Sequence, residues 1–209
     1  MRICAVSPWK LALKEEILKF LAEAKADLVV LPGACRNTPS PKEVQQVIGR
    51  GIRVFVESGK KKGKATPYLV TSSEAIRMPL QVFPPPKSPT VRCMDKLVSA
   101  WLDRTFSFGT RTVTFTICGE INGFSPDGSV KHGRELPFDI LANPVHTVMG
   151  RWQHLGRKLS ELSKGKVVIH VANNDRNHKL NTDVRIYVDG TLQKNKNREG
   201  KLTWCECRI

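Results

Sequence analysis

Acidic residues are scarce in this chain: 19 aspartates and glutamates stand against 34 lysines and arginines, a formal charge of +15 over 209 residues. Long apolar runs are missing as well. None approaches the ~20 residues that a bilayer-spanning helix needs, so no membrane partner is expected. The opening stretch MRICAVSPWK has no apolar core followed by a small-residue cleavage site, and it reads as a first strand, not a signal peptide. Six cysteines (4, 35, 93, 118, 205 and 207) form no CxxC pair and no small disulfide framework. Reduced thiols and a cytoplasmic location are therefore expected. Internal repeats are absent. The basic clusters, Lys60, Lys61, Lys62 and Lys64 and then Lys194, Lys196 and Arg198, carry no interleaved aromatics and no nucleic-acid motif. A solvated surface is the first reading of that charge, and an anionic partner such as nucleic acid is the second.

What is present is enough for one domain over residues 1–209, with 40% apolar residues and an ordinary charged fraction. The patterning predicts a strand at Ile3–Val6 and a helix around 11–25, where Leu13, Ile17, Leu21 and Ala24 recur at helical spacing. DLVVL at 27–31 reads as a strand buried on both faces. Ser40-Pro41-Lys42-Glu43 has the form of a helix start: a serine cap, a proline and a glutamate reaching back. That helix is expected to run to about Arg50. Strands are expected at 52–57, 68–71 and 76–83, and a short helix through Val91, Met94, Val98 and Trp101. A hairpin is expected at Gly109-Thr110, then a strand at 138–143 ended by Pro144. A helix through Trp152, Leu155, Leu159 and Leu162 precedes a buried strand at 167–172. Asp189-Gly190 marks a further hairpin, and residues 201–208 close the chain as a strand. Helices alternating with strands, with hairpins mixed in, imply an α/β domain whose helices cover sheets.

The stretch 113–124, VTFTICGEINGF, carries the chemistry. Val113, Phe115 and Ile117 alternate with Thr114 and Thr116, the period of a strand, and the strand stops at Cys118. A glycine (Gly119) and a carboxylate (Glu120) follow at once. A cysteine at the tip of a buried strand, ahead of a tight turn, can present sulfur to a pocket whose other wall is backbone N–H. Most cysteines, however, are simply small buried hydrophobes.

Five segments in order resemble the nitrilase, or carbon–nitrogen hydrolase, superfamily: DLVVLP, TFTICGEINGF, DILANPVHTVMGRW, VVIHVANNDR and a VDG hairpin. The resemblance implies a four-layer α-β-β-α sandwich, usually paired into a homodimer. It also implies thiol-dependent hydrolysis of a small amide or nitrile, with no cofactor. Such enzymes use a cysteine nucleophile, a glutamate base and a lysine that stabilises the tetrahedral intermediate. The resemblance places the nucleophile at Cys118 and makes Glu120 a structural hydrogen-bonding group. Strand ends carrying Asn143, His146 and Asn173 would approach the pocket together with Gly33 and Gly119. Ordinary turn capping and a surface histidine are the bland alternative for those strand ends.

Two positions depart from the family's pattern. The glutamate that follows the proline of the second strand is Gly33 here, in LPGAC. The lysine position falls on Arg77, in Arg77-Met78-Pro79-Leu80, with Lys87 and Lys96 as further cations nearby. Arginine keeps the charge but does not transfer protons. Glu57 and Glu74 are the carboxylates available to fill the gap, with Glu57 at the end of the third strand the stronger. Two functions stay open: a thiol hydrolase with a substitute base, or a catalytically impaired scaffold that binds an anionic partner through its basic surface. Cys35, Cys118, His132 and His146 lack metal-site spacing, so no metal is expected.

Overall fold

A computed structural model describes residues 1–8, 12–33, 35, 37–59, 65–83, 88–146, 152–173 and 184–209. In chain order the elements are β1 (Arg2–Pro8), α1 (Lys14–Glu23), β2 (Leu28–Val30), α2 (Pro41–Val47), β3 (Arg53–Ser58), β4 (Thr66–Val70), β5 (Ala75–Arg77) and α3 (Val91–Trp101). There follow β6 (Thr105–Phe108), β7 (Arg111–Phe115), a 3₁₀ turn (Cys118–Gly123), β8 (Ile140–Val145), α4 (Trp152–Leu162), β9 (Val167–Ala172), β10 (Val184–Val188), β11 (Thr191–Leu192), β12 (Lys196–Glu199) and β13 (Leu202–Arg208). They form two sheets, ordered β12-β13-β1-β2-β3-β4-β5 and β11-β10-β9-β8-β7-β6. The middle of each sheet is parallel: β1-β2-β3 in the first and β7-β8-β9 in the second.

Strand parity assigns the layers. Ile3, Ala5, Leu28, Val30 and Phe55 of the first sheet pack against Val113, Phe115, Ile140, Ala142, Ile169 and Val171 of the second. Phe55 stacks on Phe115 across this interface, with ring centroids 5.0 Å apart. The intervening residues face outward. Cys4, Val6, Val29, Val54 and Val56 meet Ile17 and Leu21 of α1 and Val44 of α2. Leu141 and Val168 meet Met94 and Leu97 of α3 and Leu155 and Leu159 of α4. The result is a four-layer α-β-β-α sandwich. Period-2 alternation supplies two apolar faces per strand, and a sheet buried on both faces needs a helix layer outside it.

Local chemistry explains the element ends. Ser40 Oγ accepts from the Glu43 backbone N–H, and the Glu43 carboxylate accepts from the Ser40 N–H at 2.8 Å, so α2 starts at Pro41 as expected. It ends at Val47, three residues before Arg50. The strand expected over 76–83 is only Ala75–Arg77: Met78 donates to the Pro67 carbonyl, but Pro67 has no N–H to return the second bond of that pair, so the ladder stops there. Pro144, expected to end its strand, lies inside β8. Ala142 and Pro144 share the edge toward β7, whose ladder ends with Thr116 N–H on the Ala142 carbonyl, while Val145 is bonded from the β9 side. The missing proline N–H therefore falls where no partner strand remains. Among the described residues no helix is long and apolar enough to cross a membrane. The lysines at 60–64, the triple proline at 84–86, Lys87 and Asn174 lie outside the described residues.

Candidate active site

The parity that builds the inter-sheet core continues past it at one end of the molecule. Phe55 faces inward, so Glu57 does too. Ile140 and Ala142 face inward, and His146 has the same parity. Ile169 and Val171 lead in the same way to Asn173, and Ile3 and Ala5 lead to Ser7. The apolar inner faces thus become polar at the carboxyl ends of the parallel strands, where crevices form in α/β folds.

Cys118 begins the 3₁₀ turn directly after the extended Ile117 and has φ of +52°, the left-handed region. A non-glycine residue rarely adopts it, and such strain, on the order of 1–3 kcal/mol, persists only where surroundings enforce it. Here the enforcement is visible. Asn143 Nδ2 donates to the carbonyls of Thr116 (2.9 Å) and Cys118 (3.1 Å), one on each side of the bend. Asn143 Oδ1 in turn accepts from His170 Nδ1 at 2.9 Å. Burial, with the nearby Arg185 charge, pushes His170 down to about 3, so its ring is neutral and holds the amide in one orientation. Sulfur and turn pack on Ile117, Val145 and Ala172, and Cys118 is 5% exposed.

Beside the thiol lies an ion-pairable couple. His146 Nε2 is 2.7 Å from Glu57 Oε2, and the two side chains are 7% and 2% exposed. His146 is therefore not the surface histidine that the bland reading of the sequence supposed. Burial opposes a charged imidazole. Hydrogen bonding to Cys118 and Glu57, together with their charges, outweighs it and raises His146 to about 10. The ring therefore holds its proton at neutral pH, between a carboxylate and a thiol.

Gly33 closes the site from below. A Cβ on it would stand 2.4 Å from His146 Cδ2 and 2.5 Å from Glu57 Oε2. The imidazole and carboxylate occupy the space that any side chain at 33 would need. Asn173 Nδ2 donates to the Gly33 carbonyl at 3.2 Å, and Ser7 Oγ donates to the Ala172 carbonyl at 2.6 Å, so the first sheet is tied to β9 beside the pair.

Glu120 is fully buried and supports the turn. It accepts from the backbone N–H of Ile117 (2.8 Å) and Val82 (2.6 Å) and from the Arg104 guanidinium, which also bonds the Leu80 carbonyl. Burial pushes its carboxyl up, while Arg104 and the two N–H groups favour the charge. Gly119 lies in the same turn, also buried.

Arg77 does not join this group. It shares its parity with Ala75, on the outer face of the first sheet, while Met78 turns into the inter-sheet core. It is exposed on the edge strand and, among the described residues, makes no hydrogen bond or ion pair with Cys118, His146 or Glu57. Lys96 is exposed on α3, and Glu74 is exposed in the β4–β5 turn. Among the described residues no three His, Cys, Asp or Glu side chains are placed to hold a metal. The sequence reading had Glu57 as a carboxylate alone and His146 only as lining. Counting by two from Phe55 and from Ala142 was the signal that placed them on one inner face.

No protein-family model matches the sequence, and no curated protein matches it. Solved structures do match. A glutamine-dependent NAD(+) synthetase from Cytophaga hutchinsonii aligns with 99% of this chain at TM-score 0.63 and 12% identity, and the chain spans 42% of that protein. A CN-hydrolase superfamily protein from Xanthomonas campestris, with an arsenic adduct in its active site, aligns with 100% of the chain and 90% of its own length (TM-score 0.58, 14% identity). A mutant of the amidase from Nesterenkonia sp. AN1, in complex with butyramide, aligns with 99% of the chain and 90% of its own (TM-score 0.55, 14% identity). The chain thus spans less than half of the synthetase and nearly all of the other two. At such identities the likeness is one of fold: this is a nitrilase-like sandwich.

Proposed function

We propose that the protein is a thiol hydrolase that cleaves the carbon–nitrogen bond of a small amide, with Cys118 as nucleophile. One observation carries the reading: a cysteine held in the left-handed conformation at a strand end, next to a buried Glu57–His146 pair. The sulfur attacks the amide carbonyl carbon. The oxyanion that forms meets the N–H groups opening the 3₁₀ turn, Gly119 among them, which are not consumed by the helix itself. Collapse breaks the C–N bond and leaves a thioester on Cys118. Water then cleaves the thioester, giving a carboxylic acid and restoring the thiol. Gly33 stands where the family resemblance expects a glutamate, and the Glu57–His146 pair supplies the missing acid–base function. Arg77 and Lys96 are exposed away from the site, and on this reading backbone N–H groups and the charged imidazole carry the part of the family's lysine.

The test is ammonia release from a panel of small aliphatic and aromatic amides, butyramide included, by the protein and by Cys118→Ala. Turnover that disappears in the variant, with an acyl mass trapped on the Cys118 peptide, is expected. No release above the variant across the panel would refute it.

The charge of +15 favours a second role. A groove of about 430 Å³ at the opposite pole of the first sheet is rimmed by Arg2, Lys25, Arg50 and Arg208. Binding of a polyanion there should weaken steeply with salt. Heparin retention equal to that of an uncharged control protein would exclude it.

A further inference from the structure

We propose that His146, seated in the space Gly33 leaves empty and held by Glu57, is the residue that takes the Cys118 proton and returns it to the leaving amine. On this reading a cysteine–histidine–glutamate relay stands in a nitrilase-like fold where a carboxylate would otherwise face the sulfur directly. The inference rests on the hydrolase reading for its chemistry, though its physical core, an ion-paired thiol, does not require a substrate.

Three observations converge. The imidazole is hydrogen-bonded to Cys118 as well as to Glu57, so it stands between the thiol and the carboxylate. Nε2 is committed to Glu57 at 2.7 Å, which leaves Nδ1 to exchange a proton with the sulfur. And Gly33 is the residue whose lack of a side chain admits the pair, since its Cβ would overlap both partners. The charged or titratable groups acting on His146 are few among the described residues: Glu57 from β3 and Cys118 from the turn. Gly33, from the segment after β2, and Asn173, beyond β9, add no charge. Both neighbours of the ring favour its cationic form, and a cation beside a thiol favours thiolate.

The cycle balances. At rest the proton sits on His146 and the sulfur is thiolate. The S–C bond forms as the carbonyl π pair moves to oxygen. The carbonyl then re-forms, the C–N bond breaks, and the His146 proton goes to nitrogen. The now neutral imidazole takes a proton from water, whose oxygen attacks the thioester. The sulfur leaves as thiolate, and His146 is again protonated. His146 is the catalytic acid and base, and Glu57 is a positioning residue that holds the ring and its charge.

The experiment is the rate of iodoacetamide alkylation of Cys118, mapped by peptide mass, between pH 5 and 10. An unassisted thiol is ionised to only about one part in three hundred at pH 6. The lower nucleophilicity of an ion-paired thiolate takes back about tenfold of that advantage. The wild-type rate should therefore form a plateau reaching down through pH 6 and exceed His146→Gln there by roughly tenfold or more. Glu57→Gln keeps the shape of the pair but removes its charge, and it should move the low-pH limb upward by about one unit. A merely structural role for Glu57 would leave that limb in place and overturn its part. A wild-type profile that rises as an ordinary thiol, with a midpoint at 8.5 or above, overturns the relay without any variant having to fold. The two readings fail separately. A low-pH plateau with no amide turned over refutes the hydrolase and supports the relay, while turnover with an ordinary thiol profile does the reverse.

Discussion

Replacing Gly33 by alanine tests the centre of the site with one methyl group. Its Cβ would lie 2.4 Å from His146 Cδ2 and 2.5 Å from Glu57 Oε2. Relaxed carbon contacts lie at about 3.5–4.0 Å, so the overlap is roughly 1 Å on each side. Neither partner is a free chain end: the two side chains are 7% and 2% exposed and bonded to each other. Overpacking of this kind costs about 1–3 kcal/mol. Gly33 is not among the glycines with positive φ, so alanine fits the backbone. It also lowers unfolded-state entropy, which returns about 0.4–1 kcal/mol. The net expectation is a loss of about 1–2 kcal/mol, read as a urea midpoint lower by roughly 0.5–1 M for a slope near 2 kcal/mol/M. Cys118 alkylation at pH 6 should slow in the same protein, because the ring is pushed away from the sulfur. Gly49→Ala is the control: its Cβ meets only Ile52 Cδ1, at an ordinary 3.5 Å. If Gly33→Ala matches the wild type in both midpoint and alkylation rate, the imidazole and carboxylate do not fill that space and the reasoning fails.

Stability should also depend on pH through His146. Its pKa is raised from 6.5 to about 10 in the folded protein, so its contribution is complete below 6.5 and is lost as pH climbs toward 10. Urea midpoints of the wild type should fall over that window, by an amount on the order of a few kcal/mol, relative to a Glu57→Gln/His146→Gln protein; parallel curves would contradict it. Arg104→Met strands the buried Glu120 carboxylate, and urea unfolding should show about 3–5 kcal/mol lost, whereas a loss under about 1 would mean Glu120 does not depend on the pair. Asn143→Leu leaves the Thr116 and Cys118 carbonyls and His170 without the amide. Unfolding should show roughly 1–3 kcal/mol lost per buried group left unpaired, with slower Cys118 alkylation, and wild-type values of both would show that the bend holds itself.

Much of the architecture could be read from local pattern. The capping box at Ser40, the hairpin glycines at 109 and 190 and the apolar runs of β2 and β9 are signals written within a few residues, and they formed where expected. The reading failed where a strand's neighbour decided. Pro144 looked like a terminator and is inside β8, because β7 has already turned away beside it. Arg77 looked like the family's lysine, yet its parity puts it on the outer face of an edge strand.

The site divides in the same way. The chain by itself determined where the backbone bends, since an alternating run that stops at Cys118-Gly119 requires a turn at the cysteine. It also determined that no glutamate stands at 33. Only the tertiary structure decided what stands there instead. Glu57 and His146 are 89 residues apart and belong to different sheets. Their meeting depends on how two sheets stack, and on a glycine whose contribution is the volume it leaves unfilled.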